Sequence, residues 1–325
     1  MKELHMLDAL KYSFINSIRG KGKIICIEPG NQDVKLESTI TLNQKPINEM
    51  LLTHGGILFR GFEIQSITQF ESVSNFFVSH LSDYNFRSTP RTKIEGKIFT
   101  STEYPADRFI QFHNECSYST SWPARILFFC VIPSNKGGET ALADSREVYK
   151  LIDENIKNEF ISNGLTYVRN YIPGLDMDWS EVFQTNQRSE VEKYCLELGV
   201  NFEWGQGNIE LTTKQHAQAA ISHPTTKETA WFNQAHLFHS SALQQHEKEG
   251  LLSLVRTAEN LPRNVFLGSN KAIDDKYFDN IRAAYETERI EFQWQKGDVL
   301  LLDNLLMAHS RNPYEGNRKI AVAMG

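Results

Sequence analysis

Apolar positions recur along this chain in two rhythms, one of period two and one of helical spacing. Phe109-Ile-Gln-Phe-His-Asn-Glu115 alternates, and on a β-strand Ile110 and Phe112 would share one face while Gln111, His113 and Glu115 share the other. Ile290-Glu-Phe-Gln-Trp294 alternates strictly and predicts a half-buried strand, turned by Lys296-Gly-Asp298 into a strand at Val299-Leu-Leu-Leu302. Ile126-Leu-Phe-Phe-Cys-Val-Ile132 is apolar throughout and short enough for a strand buried on both faces. Lys23-Ile-Ile-Cys-Ile27, the glycine-bracketed run from Gly55 to Phe62, and Ile320-Ala-Val-Ala323 complete the predicted strands.

Helical spacing appears first in residues 1–19, whose amphipathicity predicts an opening helix. Ser66-Ile-Thr-Gln69 is a capping-box pattern followed by Ile67, Phe70, Val73, Phe77 and Leu81 on one stripe. Asp144 with Glu147 starts another helix, striped by Val148, Leu151, Ile152, Ile156 and Phe160. Ser189 with Glu192 opens a third, which Gly199 stops. The polar residues 84–104 predict a loop or lid. Strands in both halves with helices between them imply an α+β fold: a double-stranded β-helix (jelly roll) core with surrounding helices and a largely helical middle insertion. No repeat or linker interrupts the chain, so residues 1–325 are expected to form a single domain. A doubly wound sheet would need regular strand-helix alternation and a glycine-rich phosphate turn, and neither is present.

Composition narrows the function. A net charge of -6 over 325 residues, with no basic cluster, argues against nucleic acid and against an anionic membrane. Lys2, Glu3, Asp8 and Lys11 break any signal-like core, and no apolar run reaches a membrane-spanning length. Cys26, Cys116, Cys130 and Cys195 show no paired spacing, which fits reduced thiols and a cytoplasmic location.

Chemistry concentrates at His113-Asn-Glu115. An imidazole and a carboxylate joined by a second histidine form the 2-His-1-carboxylate set that leaves positions open on a non-heme Fe(II). Asp303-Asn-Leu-Leu-Met-Ala-His309 supplies that histidine beyond the insertion. Arg318, just before the last strand, offers a two-pronged bond to a carboxylate, with Lys319 and Arg311 as alternatives. His236 and His239 form another close pair, without a third ligand at zinc-type spacing. Asn233 and His236, with Arg87, Arg91, Thr100, Ser101 and Thr102, are candidates for a substrate pocket. Two histidines and a glutamate also suit a zinc hydrolase, although His-Glu-x-x-His is absent, and a non-catalytic jelly-roll binding module is a third reading.

His113-x-Glu115, Gly137-Gly-Glu-Thr140, Asp303-Asn304, His309 and Arg318 together resemble the TauD/TfdA family of Fe(II)- and 2-oxoglutarate-dependent dioxygenases over nearly the whole chain from Gly55 onward. Ser88-Thr-Pro-Arg-Thr92, Thr100-Ser-Thr-Glu-Tyr-Pro105, Ser117-Tyr118, Asp144-Ser-Arg146 and Trp231-Phe-Asn-Gln234 are similar to its SyrP-like branch. The resemblance implies that His113, Glu115 and His309 hold iron, with positions left for 2-oxoglutarate and O2. It implies that Thr140 and Arg318 bind the distal carboxylate of 2-oxoglutarate. The implied reaction is hydroxylation in specialised metabolism, with release of succinate and CO2; desaturation, epoxidation and cyclisation remain open outcomes. The implied substrate is an amino acid or its derivative, free or tethered to a carrier protein. Related halogenases carry a small residue where Glu115 stands, so Glu115 implies oxygen transfer.

Overall fold

Period-two alternation along the central strands sorts the chain into layers. The computed structural model describes residues 10–30, 34–81, 92–101, 104–205, 210–268 and 270–325. The chain begins with β1 (Leu10–Asn16), β2 (Lys23–Pro29), α1 (Leu36–His54), β3 (Gly56–Phe59) and α2 (Ile67–Asn75). A hairpin of β4 (Lys93–Glu95) and β5 (Ile98–Thr100) precedes β6 (Ile110–His113), β7 (Arg125–Ile132), β8 (Lys136–Gly137) and β9 (Leu142–Asp144). The middle holds α3 (Ser145–Leu151), α4 (Glu154–Asn163), β10 (Leu165–Tyr171), α5 (Trp179–Phe183) and α6 (Arg188–Glu197), then β11 (Asn201–Trp204) and β12 (Leu211–Ala217). It continues with β13 (Ala220–Ser222), β14 (Thr229–Trp231), α7 (Ala235–Phe238), α8 (Gln245–Val255), β15 (Arg263–Leu267) and α9 (Asp275–Thr287). The chain closes with β16 (Val299–Asp303), β17 (Met307–Arg311), β18 (Tyr314–Glu315) and β19 (Lys319–Met324).

The main sheet runs β1-β2-β3-β16-β7-β19-β5-β4, and the smaller one β6-β17-β9. Ile57, Phe59, Leu127, Phe129, Val299 and Leu301 face one way, onto Leu36, Ile40 and Leu51 of α1 and Phe70 and Val73 of α2. Their neighbours Leu58, Ile126, Phe128, Leu300 and Leu302 face the other way, onto Leu142 and Met307 of the smaller sheet. Behind that sheet, Phe112, Ala143 and Ala308 join a third core with Phe160, Trp231 and Tyr285. The result is the expected jelly roll of two facing sheets, wrapped by helices on both sides. The helices of the middle section are joined there by a four-stranded antiparallel sheet, β11-β12-β10-β15, and a hairpin of β13 and β14. Among the described residues no helix is long and apolar enough to cross a membrane.

Several elements differ from their sequence patterns for identifiable reasons. Residues 10–16 form a strand where a helix was expected, because β1 pairs with β2 along its full length, from Leu10 opposite Pro29 to Asn16 opposite Lys23. The ladder overrides a weak helical rhythm. The single helix expected from Asp144 to Phe160 is two: Ile152 is extended, and Asp153 caps α4 by accepting from the Asn155 N–H at 2.9 Å. Ser189 lies inside α6, whose first capping position is Gln187, while Ser66 and Gln69 form the full capping box of α2. Ile290, Phe292 and Trp294 are buried in alternation, yet the segment makes only isolated bridges at Ile290, to Ser17 and to Leu142, and not a strand. Arg60 finds a buried acid, with its Nε and Nη2 donating to Asp298 at 3.1 and 2.7 Å.

His236 lies in the third core, where its Nε2–H donates to the Phe112 carbonyl at 2.8 Å and its ring packs on Tyr285. Burial pushes its pKa down to about 3. Between that value and the ordinary histidine value the unfolded chain binds a proton that the native state refuses, so this group makes stability fall as pH drops. Replacing His236 by Gln, which keeps an N–H donor, should flatten the decline of urea-unfolding stability between about pH 6.5 and pH 4 by up to about 1.4 kcal/mol per pH unit. An identical slope in both proteins would show that His236 is not buried neutral.

Candidate active site

β6 and β17 run antiparallel with His309 opposite His113, and the two rings lie 4.3 Å apart between centroids. The next registered pair is Arg311 with Ile110, so β6 carries one residue more than β17 between the two pairs. Such a bulge resets the alternation of side chains. Ile110 and His113 consequently line the same cavity, whereas simple alternation places them on opposite faces; Phe112 stays in the core. The Gln111 carbonyl, 2.8 Å from His113 Nδ1, accepts its proton, so Nε2 is the unprotonated nitrogen, the form that can act as a ligand.

Glu115 is also placed differently from the strand argument. β6 ends at His113, and Glu115 sits in the following turn, where Cys116 takes a φ of 56°. The turn brings the carboxylate back toward the histidines, with Oε2 at 3.9 Å from His309 Nε2. One ligand atom from each of His113, Glu115 and His309 lies within 4.8 Å of the others. Two imidazoles and a carboxylate converging from one side suit an octahedral Fe(II) with its remaining positions open, so the donor set fits the metal implied by the sequence. His236 and His239 do not join it. His239 stacks on Phe278, its Nδ1 accepts from the Ser241 N–H at 3.2 Å, and burial pushes its pKa down to about 4.

The cavity beside the three residues is walled by Ser101, Ile110, Phe128, Thr140, Ser310, Arg311, Arg318 and Ile320. Thr140 Oγ1 accepts from Trp294 Nε1–H at 3.2 Å and lies 3.5 Å from Arg318 Nη2. Arg318 Nε–H donates to the Gly138 carbonyl at 2.9 Å, aligning the guanidinium along the cavity wall. Burial, and then the positive charge of Arg311, push Arg318 down to about 10, which keeps it charged near neutrality. Arg311 is engaged elsewhere: it donates to the carbonyls of Tyr104, Pro105 and Arg108 at 2.9, 2.6 and 2.6 Å. Lys319 is exposed. Of the three basic candidates, Arg318 therefore has the best-placed donors.

The remaining pocket candidates separate. Ser101 lines the cavity, whereas Thr100 Oγ1 accepts from the Thr92 N–H at 2.8 Å on the β4–β5 hairpin. Asn233 is buried and holds its own loop, donating to the Ala219 carbonyl and accepting from the Ala235 N–H. Asn233 and His236 are both outside the cavity lining. Arg87, Arg91 and Thr102 lie outside the described residues. Sequence reasoning passed over Trp294 as a support for Thr140 and Asn304 as a support for Glu115. Asn304 belongs to the Asp303-Asn304 motif, but spacing along the chain does not reveal its partner.

Known proteins are similar to this chain over most of its length. The model of the "taurine catabolism dioxygenase TauD, TfdA family" matches residues 22–324. The dapdiamide synthesis protein DdaC of Enterobacter agglomerans is 40% identical over 279 residues, covering 86% of this chain and 84% of that protein. A clavaminate synthase-like protein of Arabidopsis thaliana is 28% identical over 299 residues, covering 88% and 86%. Among solved structures, PvcB of Pseudomonas aeruginosa superposes with a TM-score of 0.57 at 13% identity, over 97% of this chain and 91% of that one. Another PvcB structure, described as an Fe, alpha-ketoglutarate dependent oxygenase from an isonitrile synthetic pathway, gives 0.56 at 14% identity with the same coverage. At these identities the structural likeness speaks for the fold, and the family rests on the sequence matches. The chain belongs to the TauD/TfdA dioxygenase family.

Proposed function

We propose that this protein is a cytoplasmic, single-domain Fe(II)- and 2-oxoglutarate-dependent dioxygenase that hydroxylates an amino acid or amino-acid derivative, free or carrier-bound, in the biosynthesis of a specialised metabolite. The observation that carries the reading is the convergence of His113, Glu115 and His309 on one point beside a cavity walled by Thr140 and Arg318. Iron held by the three side chains would supply the oxidising chemistry, coupling O2 reduction to decarboxylation of 2-oxoglutarate. One oxygen atom then ends in succinate and the other in the hydroxylated product, with CO2 released.

The protein's share of the work is positional. His113 is locked in one tautomer by the Gln111 carbonyl, so its Nε2 needs no proton loss before binding a metal. Arg318 and Thr140 offer donors to the distal carboxylate of 2-oxoglutarate, and a charged guanidinium recognises such a group in two-pronged fashion. Phe128 packs against the His309 ring, with centroids 5.2 Å apart, and makes that wall apolar. The amino-acid reading draws on the similarity to a dapdiamide synthesis protein, and the hydroxylation reading on the Glu115 carboxylate, which favours oxygen transfer over halogenation.

Mixing the purified protein anaerobically with Fe(II) and 2-oxoglutarate should produce a weak visible charge-transfer band. His113→Ala should abolish it, and a band of full intensity in that variant would remove the iron assignment. Arg318→Ala should weaken 2-oxoglutarate binding by roughly 30- to 150-fold, equivalent to about 2–3 kcal/mol for the loss of charge-assisted hydrogen bonds, while Lys319→Ala leaves it unchanged. A titration of the same band measures both. Substrate-dependent succinate release across free amino acids and carrier-bound aminoacyl thioesters, with mass analysis of the product, identifies the substrate class; a product without added oxygen would replace hydroxylation by another outcome.

A further inference from the structure

Where β6 ends, the backbone of Glu115 leaves the sheet and loses the ladder partners that a strand residue has. One side chain replaces them. Asn304 Oδ1 accepts from the Glu115 N–H at 2.7 Å, and Asn304 Nδ2 donates to the Glu115 carbonyl at 3.0 Å. The same Nδ2 donates to the Pro123 carbonyl at 2.8 Å, so both of its hydrogens and its oxygen are in use. Asn304 is 0% exposed, and Glu115 only 3%. We propose that Asn304 is a positioning residue for the Glu115 carboxylate, its amide acting as a surrogate strand neighbour; this rests on the iron reading given above.

The surroundings explain why the clamp is rigid. The Asn304 N–H donates to the Ala124 carbonyl at 3.0 Å, and its own carbonyl accepts from Asn114 Nδ2 at 2.7 Å. Asn114 also reaches Ser145 Oγ at 3.1 Å, while its carbonyl accepts from Gln234 Nε2–H at 2.8 Å. The backbone on the histidine side of Glu115 is therefore held as well. Asp303, one residue earlier, accepts from the Leu305 N–H through Oδ1 and from His223 through Oδ2 at 3.2 Å. His223 Nδ1 accepts from the N–H groups of Thr225 and Thr226, so Nε2 carries the proton that goes to Asp303.

Geometry and chemistry together select asparagine. Aspartate has the same shape and still accepts from the Glu115 N–H, but it sets an anion against two carbonyl oxygens. Alanine leaves one N–H and two carbonyls without their partner in a buried place. Asn304 also stands between β16 and β17, in the link that leads to His309. The segment that delivers one imidazole thus also fixes the carboxylate, and a shift in that link moves both.

The test uses the full chain without metal and Mn(II) as the probe. Thermal unfolding of the apoprotein and Mn(II) affinity by calorimetry are measured for wild type, Asn304→Ala, Asn304→Asp, His113→Ala and Val265→Ala. Val265 lies on β15 of the four-stranded sheet, buried in the third core, and its truncation controls for a general loss of stability. A positioning role predicts Mn(II) binding roughly 10- to 100-fold weaker in both Asn304 variants. Val265→Ala, although less stable, should bind as wild type does. Should Asn304→Ala fail to fold, Asn304→Asp carries the same expectation. Wild-type affinity in a folded Asn304 variant overturns the proposal, as does an equal loss in Val265→Ala. If His113→Ala also binds Mn(II) normally, the metal assignment itself falls and takes this inference with it.

Discussion

The pairing of β17 with its two neighbours is the constraint on which the site depends. His309 lies opposite His113 on β6 and opposite Leu142 on β9, so one strand sets the register of both flanks. β6 brings the first histidine, and Thr140 stands just before β9. A slip of one residue in either ladder would turn His309 from the cavity toward the core behind it. That slip is opposed on both sides. Met307 packs between the sheets, while Ala308 faces the third core with Phe112 and Ala143. The strand's own alternation therefore locks the register that places the imidazole.

The charge distribution gives the same site its polarity. Arg311 and Arg318 line one cavity, close enough for the Arg311 charge to disfavour that of Arg318, and none of the described residues lining the cavity is acidic. Burial disfavours the charge of both arginines, and an anionic ligand beside them would offset that cost. Arg311 spends its donors on three backbone carbonyls and anchors residues 104–108, which lead into β6. It acts on the pocket mainly as a fixed charge. Arg318 keeps the more available donors, and the two arginines differ in role for reasons that charge alone does not reveal.

What the sequence disclosed follows the strength of each physical signal. Strands buried on both faces, such as β7 and β16, announced themselves as apolar runs. The candidate ligand residues were legible because the identity of His113, Glu115 and His309 carries chemistry whatever the local geometry. Their geometry was not legible. The bulge in β6 depends on a partner strand far along the chain, and so does the turn that carries Glu115. β10 escaped because Thr166, Arg169 and Asn170 make it look polar, yet it is buried along its length, with the Asn170 amide donating to the carbonyls of Glu259 and Leu261. α1 escaped for the opposite reason: Pro46 and the non-helical Asn43 interrupt its pattern, and contacts of Leu36, Ile40, Ile47 and Leu51 with the main sheet support the helix in spite of them.

Glu115 shows how chemistry and geometry divide the work. Alternation along β6 explained its presence beside His113, and that explanation fails, because the residue is in a turn. The side-chain type nevertheless survives as the informative feature. A carboxylate on a turn must reach back to a point defined by two strand histidines, and the extra methylene of glutamate over aspartate supplies reach. Extra length also adds a rotatable bond, and freedom in a metal ligand is a loss of preorganisation. Tying the backbone on both sides of the residue, through Asn304 and Asn114, compensates by removing motion at the root of the side chain. A longer ligand and a tighter anchor are thus two halves of one solution.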